Sequence, residues 1–383
     1  AVVVAGAGAA LAPRRSPAAT VITPDGPPVA PPPAPRDTPA WRPPEPGTGW
    51  AEDVLGPDFQ AMTLPLEPDD EGDAVATVIR YRPAEPEPTR SARAVLYLHG
   101  WNDYFFQTQL AEYWHRQRIA FYALDLRKYG RSLRPHQTPN YVEDLATYDE
   151  ELGAAMDLIR AEHGKPVRVL LMAHSTGGLI SVLWADRHPG QVASLVLNSP
   201  WLELAGASFA RSLTTPVVAT LARTQPRSPL PNIDPGHYAR SVLTAQGGEW
   251  EYDEAWRPHP MFPVRPGWLQ AILEGHSQVA KGLDLAMPVL MAASTASLLA
   301  PRWRDEMRAA DTVLDVDLIA RRAVLLGRLV TVVRIPDALH DLTLSARVPR
   351  QLFYDELTRW TATYGLGWFS APAPKGRSAQ LPL

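Results

Sequence analysis

Six short, almost wholly apolar runs recur along this chain, at 94–99, 120–126, 167–173, 193–197, 288–293 and 329–335. Each is too short for a buried helix and lacks the apolar/polar alternation of a strand with one wet face. Between most of them lie stretches with helical spacing: Gln107–Arg118, Val142–Glu162, Leu179–Ala185 and Val316–Leu326, with Pro349–Tyr364 after the last. Strands buried on both faces and separated by helices predict an α/β architecture, a mostly parallel sheet covered on both sides. In such sheets ligands bind beyond the carboxyl ends of the strands. Two more strands, Phe59–Glu67 and Ala74–Arg82, are expected ahead of the alternation, separated by the acidic turn 68–73.

The alternation stops between Trp201 and Leu285. Proline clusters (Pro226, Pro229, Pro231, Pro235) and the aromatics Tyr238, Trp250, Tyr252, Trp256, Phe262 and Trp268 fill that segment. It is too long for a loop and offers no parallel strand, so residues 202–285 are expected to form a helical cap inserted over the sheet. The organisation expected is a proline-rich, disordered tail over 1–49, a globular domain over 50–370 containing the cap, and a short tail over 371–383.

Composition narrows the function classes. Of 383 residues, 45% are hydrophobic and 20% charged, ordinary for a globular protein. The net charge of −4 gives no electrostatic case for nucleic acid or an anionic membrane. No apolar run approaches the roughly 18 residues of a spanning helix. The chain has no cysteine, which excludes disulfides, thiolate metal sites and a cysteine nucleophile. No metal-ligand spacing or phosphate-cradling loop appears. Val2–Gly8 mimics a dinucleotide-binding turn, but Leu11 stands at the third glycine position and proline-rich sequence follows where a helix is needed. A soluble protein is expected, with the cytoplasm favoured; secretion is the alternative if residues 1–12 are the remnant of a signal.

The chemistry concentrates at one turn. The third apolar run leads into Ala173-His174-Ser175-Thr176-Gly177-Gly178, and a helical stretch leads out. A serine between a buried strand and a helix, flanked by small residues two before and two after, has the pattern of a nucleophile elbow. A serine needs a base to be a nucleophile at neutral pH. His340 follows the last apolar run through a four-residue loop, the position from which an imidazole reaches the serine. Asp311, just ahead of a predicted helix, is the expected orienting acid, with Asp315 as the alternative. Asp341 adjoins His340 in sequence and is a poor steric partner for it. Two backbone N–H groups should face the developing oxyanion, those of Thr176 and of Trp101 in the loop His99-Gly100-Trp101. The segment Asp125–Ser132 reads as a braced glycine turn, with Arg127 still able to line the site.

Taken together, Leu98-His99-Gly100, Asp125-Leu126-Arg127 with Gly130-Arg131-Ser132, His174–Gly178, Asp311-Thr312-Val313 and Leu339-His340-Asp341 resemble the α/β-hydrolase superfamily. The resemblance is to the branch of monoacylglycerol lipases, lysophospholipases and serine aminopeptidases. It implies the α/β-hydrolase fold with an eight-stranded, mostly parallel sheet, helices on both faces and an inserted helical cap. It also implies hydrolysis through an acyl-serine; the reading is a cofactor-independent hydrolase of a small-molecule carboxylic ester, and the aromatic residues of the expected cap suggest an apolar acyl or aromatic group in that ester. Amide cleavage, acyl transfer and a non-catalytic binding role remain alternatives. Two departures stand out: Ala173 replaces the first glycine of the elbow, and an extra stretch, about 300–309, delays the acid.

Overall fold

The computed structural model describes residues 41–84, 92–164, 166–204, 215–232 and 234–365. Among the described residues nine strands form one sheet: β1 (Ala51–Asp53), β2 (Gly56–Asp69), β3 (Gly72–Tyr81), β4 (Arg93–Leu98), β5 (Ala120–Asp125), β6 (Arg168–His174), β7 (Ser194–Asn198), β8 (Val289–Ser294) and β9 (Val330–Ile335). Their order is β1-β2-β3-β5-β4-β6-β7-β8-β9. From β5 to β9 every pairing is parallel, and the β1–β2, β2–β3 and β3–β5 pairings are antiparallel. The expected count of eight strands is corrected to nine. The extra one, β1, has three residues and folds back on β2 with Ala51 opposite Ala61, too short to register as a periodic signal.

Successive side chains of a strand point to opposite faces, and β6 shows the consequence. Val169, Leu171 and Ala173 join one core cluster, whereas Leu170 and Met172 join the other. On the first face lie α2 (Asp149–His163), α3 (Thr176–Arg187), α6 (Pro266–Ala280) and α7 (Val316–Ala323), which contribute Leu152, Met156, Leu179, Leu269 and Ile319. On the second lie α1 (Thr108–Arg116) and α8 (Arg347–Trp360), which contribute Leu110, Trp114, Phe353 and Leu357. Burial on both faces is why these strands are apolar throughout. Trimming the wholly buried Leu171 to alanine would cost about 2–5 kcal/mol.

Some helix starts have a local cause. The stretch expected as one helix from Val142 splits into a short 3-10 turn, Leu145–Tyr148, and α2. The side chain of Asp144 caps that turn by accepting from the Ala146 N–H. Proline occupies the first turn of α6, where no intrahelical donor is lost.

Between β7 and β8 the described residues add helices α4 (Thr215–Thr224), α5 (His237–Val242) and α6, and no strand of the sheet. α6 lies close on α3: a methyl group at Gly275 would sit 3.1 Å from Leu179's neighbour Leu183. Residues 1–40, 85–91 and 366–383, and with them Val2–Gly8 and most of the expected tails, lie outside the described residues. Over 41–49 there is no helix or strand, and the Trp41 ring meets the edge of Trp256 at 5.9 Å.

The connections place the site. From β4 the chain crosses to β5 on one side, then returns to β6 on the other side of β4. The carboxyl ends of β4 and β6 therefore flank a point where strand order reverses, the place at which open sheets of this kind bind ligands.

Candidate active site

Only Ser175 separates the end of β6 from the start of α3, and it takes φ +51°, ψ −118°. Such a conformation at a non-glycine residue costs about 1–3 kcal/mol and persists where the surroundings over-determine it. Here its N–H donates to the Asn198 carbonyl at 3.0 Å, and its carbonyl accepts from Gly178 N–H and Trp201 N–H, each at 2.9 Å. The two glycines have steric reasons. A methyl at Gly177 would come within 2.2 Å of the His99 carbonyl oxygen, and one at Gly178 within 2.6 Å of Pro200 Cβ. Ala173, by contrast, turns its methyl into the core on the α3 face, which accounts for alanine at that position.

His340 lies five residues past β9, in a loop held by the Leu339 N–H donating to Ser345 Oγ at 2.9 Å. Its Nδ1 is 2.8 Å from Asp311 Oδ2 and its Nε2 is 3.0 Å from Ser175 Oγ. An ionised carboxylate only accepts, so Nδ1 carries the proton and Nε2 is left to accept from the serine hydroxyl. All three side chains are screened from water: Ser175 is 8% exposed, His340 2% and Asp311 0%.

Asp311 arrives late in sequence yet early in space. It forms a bridge with Ser297, just beyond β8: its N–H donates to the Ala296 carbonyl at 2.9 Å and its carbonyl accepts from Leu298 N–H at 2.8 Å. The intervening residues, including a 3-10 turn at Asp305–Ala309, form an excursion closed at its base. The acid thus stands at the end of β8 despite the inserted stretch. Its other oxygen, Oδ1, accepts from Val313 N–H at 2.7 Å and Leu314 N–H at 2.8 Å, which fixes the carboxylate plane. Asp315 is occupied elsewhere, capping α7 by accepting from Asp317 and Leu318 N–H.

The loop after β4 closes on the elbow. A methyl at Gly100 would lie 3.0 Å from Ser175 Cβ, so glycine lets the backbone of this loop come alongside the elbow. Thr176 opens α3, where the first N–H groups have no intrahelical acceptor and the helix dipole favours negative charge.

Several residues around the site carried no signal beyond a polar side chain closing an apolar run. Asn198, at the end of β7, accepts at its carbonyl from both the Ser175 N–H and His174 Nδ1, the latter at 3.2 Å. Its side chain donates to Asp341 at 2.6 Å and accepts from Leu342 N–H at 3.1 Å. Asp341 also accepts from Gln107 Nε2 and from the Thr343 N–H and hydroxyl. Burial works to raise the Asp341 pKa, but His174 nearby and the Thr343 and Asn198 bonds hold it below the ordinary carboxylate value. Burial drives the His174 pKa well down, so the ring 4.8 Å from His340 stays uncharged at neutral pH. Arg127 is clamped by Glu150 and Glu151 at 2.6 and 2.8 Å, as part of the brace at the end of β5.

Among the described residues no three His, Asp or Glu side chains are placed to hold a metal ion, and no helix is long and apolar enough to cross a membrane.

This sheet, with a strained serine at its strand-order reversal, defines the α/β-hydrolase fold. Residues 89–310 match the family described as serine aminopeptidase, S33, and the chain belongs to that family. The matched stretch contains Ser175 and ends one residue before Asp311. Over 187 residues the chain is 30% identical to a monoacylglycerol lipase of Mycolicibacterium smegmatis, covering 47% of this chain and 58% of that protein. It is also 31% identical over 84 residues to a (lyso)-N-acylphosphatidylethanolamine lipase of Mus musculus, covering 22% of this chain and 23% of that one. The chain thus spans little more than half of the first relative and under a quarter of the second. In structure it is similar to a soluble variant of the monoglyceride lipase of Saccharomyces cerevisiae, with a TM-score of 0.53 at 16% identity over 78% of this chain and 95% of that one.

Proposed function

We propose that the chain is a serine hydrolase of carboxylic esters, with Ser175 as nucleophile, His340 as general base and acid, and Asp311 as the orienting acid. The observation that carries this reading is the unbroken line from Asp311 Oδ2 through His340 to Ser175 Oγ, with contacts of 2.8 and 3.0 Å. Ser175 Oγ attacks the ester carbonyl as its proton passes to His340 Nε2. The negative oxygen of the tetrahedral intermediate faces the Trp101 and Thr176 N–H groups, donors whose individual loss costs about 100- to 1,000-fold in rate. The intermediate collapses, the ester C–O bond breaks, and His340 returns the proton to the leaving alkoxide. Water then attacks the acyl-serine by the same proton path and releases the acid.

The relatives are, by their names, lipases of monoacylglycerols and of (lyso)-N-acylphosphatidylethanolamines. We take the substrate class to be a small ester with an apolar acyl or aromatic group. Residues 50–370 form the catalytic domain in this reading, and 202–285 its cap. Tyr238 of that segment supports the assignment, its ring lying edge-on to His340 at 5.4 Å.

The test combines labelling by a fluorophosphonate with a panel of esters of increasing acyl length and matched amides, on the parent and on Ser175→Ala. Labelling and ester turnover in the parent, both absent from the variant, are expected. Turnover of amides above matched esters would make the chain an amidase with the same three residues. A parent that neither labels nor turns over any substrate would leave a binding role.

A further inference from the structure

The loop after β4 and residues 253–262 of the insertion are joined by an unusual concentration of contacts. Asn102, at φ +53°, uses both ends of its amide on the insertion: Nδ2 donates to the Pro258 carbonyl and Oδ1 accepts from Phe262 N–H, each at 3.2 Å. One residue on, Asp103 faces Arg257 at 3.4 Å. Tyr104 accepts from the Asp253 N–H at 2.7 Å and meets the Trp256 ring edge-on at 5.1 Å.

Arg257 is the centre of this arrangement. It is 5% exposed, and its guanidinium lies 5.3 Å from the Phe106 ring, 5.2 Å from Tyr238 and 4.5 Å from Tyr252. Tyr238 is the same ring that packs edge-on against His340. A single buried cation therefore touches, on one side, the loop that presents the Trp101 N–H and, on the other, the ring that abuts the imidazole. Burying a cation costs several kcal/mol before its partners are counted, and an apolar side chain of similar volume often serves stability as well. Packing alone therefore gives no reason for arginine here. A fixed, multi-sided cation gives geometry. Asp103 fits the same picture: burial pushes its carboxyl up to about 7 even with Arg257 beside it, so the pair is held at a cost.

We propose that Arg257 and Asn102 are positioning residues, which hold the Trp101 N–H and the His340 imidazole in register across Ser175. The insertion is then part of the machinery and not only a cover for substrate. The inference rests on the serine-hydrolase reading above.

The test compares Arg257→Met, Arg257→Lys and Asn102→Gly in the full chain; glycine keeps the left-handed backbone while deleting the amide. Arg240→Met is the control, since Arg240 belongs to the same insertion but lies outside the brace, 4.4 Å over the Trp303 ring. Each is measured for kcat and KM on one ester, normalised by fluorophosphonate titration, and for its melting temperature. Arg257→Met and Asn102→Gly are expected to lower kcat about 10- to 100-fold, the scale set by misplaced catalytic groups, with KM within about threefold. Arg257→Lys keeps the charge against the rings but not the planar guanidinium, and should recover part of the loss. Arg240→Met should leave kcat within about twofold, as a surface change.

Unchanged kcat in Arg257→Met and Asn102→Gly overturns the proposal. So does a rise in KM alone, which would make them substrate contacts, or a loss that tracks the unfolded fraction and is not rescued by lysine. If Arg257→Met does not fold, Asn102→Gly decides. A parent that is active and a Ser175→Ala that is dead, with brace variants like the parent, would end this inference alone. A parent with neither labelling nor turnover would end both.

Discussion

Two clusters of buried polar side chains stand at the carboxyl edge of the same sheet, one at the end of β5 and one at the ends of β6 and β8. At β5, Arg131 donates from Nε and Nη2 to the two oxygens of Asp53 at 2.7 and 2.8 Å. Its Nη1 donates to Asp125 Oδ2 and the Phe105 carbonyl at 2.8 and 3.0 Å. Asp125 accepts in addition from the Phe105 and Arg131 N–H groups. Burial opposes the Arg131 charge, and the two carboxylates more than restore it. Every strong group there is matched, and the cluster is a bolt between β1, β5 and the following loop. At β6 the groups form a line rather than a closed cluster: Asp311 is fully engaged, His340 is held by it, and the Ser175 hydroxyl has the imidazole as its partner on a strained backbone. The contrast teaches that burial of charge is not itself a sign of chemistry. A saturated cluster holds elements together; a chain of donors ending in one movable proton can react.

Mutation should separate the two clusters cleanly, and the largest effects belong to β6. Ser175→Ala and His340→Ala should each lower kcat/KM by about 10⁴-fold or more, with a melting temperature near the parent's. Asp311→Asn should cost up to about 10⁴-fold, because it disturbs the tautomer that leaves Nε2 free to accept. Large losses of stability in these variants would erase the contrast.

At β5 the balance reverses. Arg131→Met leaves two buried carboxylates without their partner and should cost about 3–5 kcal/mol in urea unfolding, while the folded fraction retains its turnover. A variant as stable as the parent would show the cluster is not a bolt.

A buried histidine outside both clusters sharpens the comparison through pH. Burial lowers His276 to about 4, with its bond to the Trp201 carbonyl acting the other way. The unfolded chain takes up a proton near the ordinary imidazole value of about 6.5, whereas the folded chain refuses it until much lower pH. Stability from this group is therefore present above about 6.5 and lost as pH falls toward 4. His276→Gln should reduce the slope of melting temperature between pH 7 and pH 5, leaving the share due to His174; an unchanged slope would assign it to other groups. The smallest effect expected is that of Asp315→Ala, about 1 kcal/mol from a lost helix cap. Ester turnover should hold; a hundredfold fall would move the acid from Asp311 to Asp315.

Much of this was legible without coordinates. The apolar runs announce strands buried on both faces, and Ala173–Gly178 announces a turn that tolerates only small neighbours, because both signals are local. β1 leaves no such signal because three residues have no period. The delay before Asp311 reads as a departure in sequence because sequence distance hides the Ser297 bridge that closes the excursion. Asn198, Gln107 and Arg257 gave no pattern at all, since their partners come from distant elements.

The amino-acid order by itself determined the layered sheet, the elbow and the candidates Ser175, His340 and Asp311, for these follow from residue size and hydrophobic period over a few neighbours. Only the tertiary structure decided that Asp311 and not Asp315 faces the imidazole, that Asp341 turns away to Asn198 and Gln107, and that the insertion grips the loop beside Ser175. Those choices depend on which chain ends meet across the sheet, and contacts between residues far apart in sequence leave no local trace.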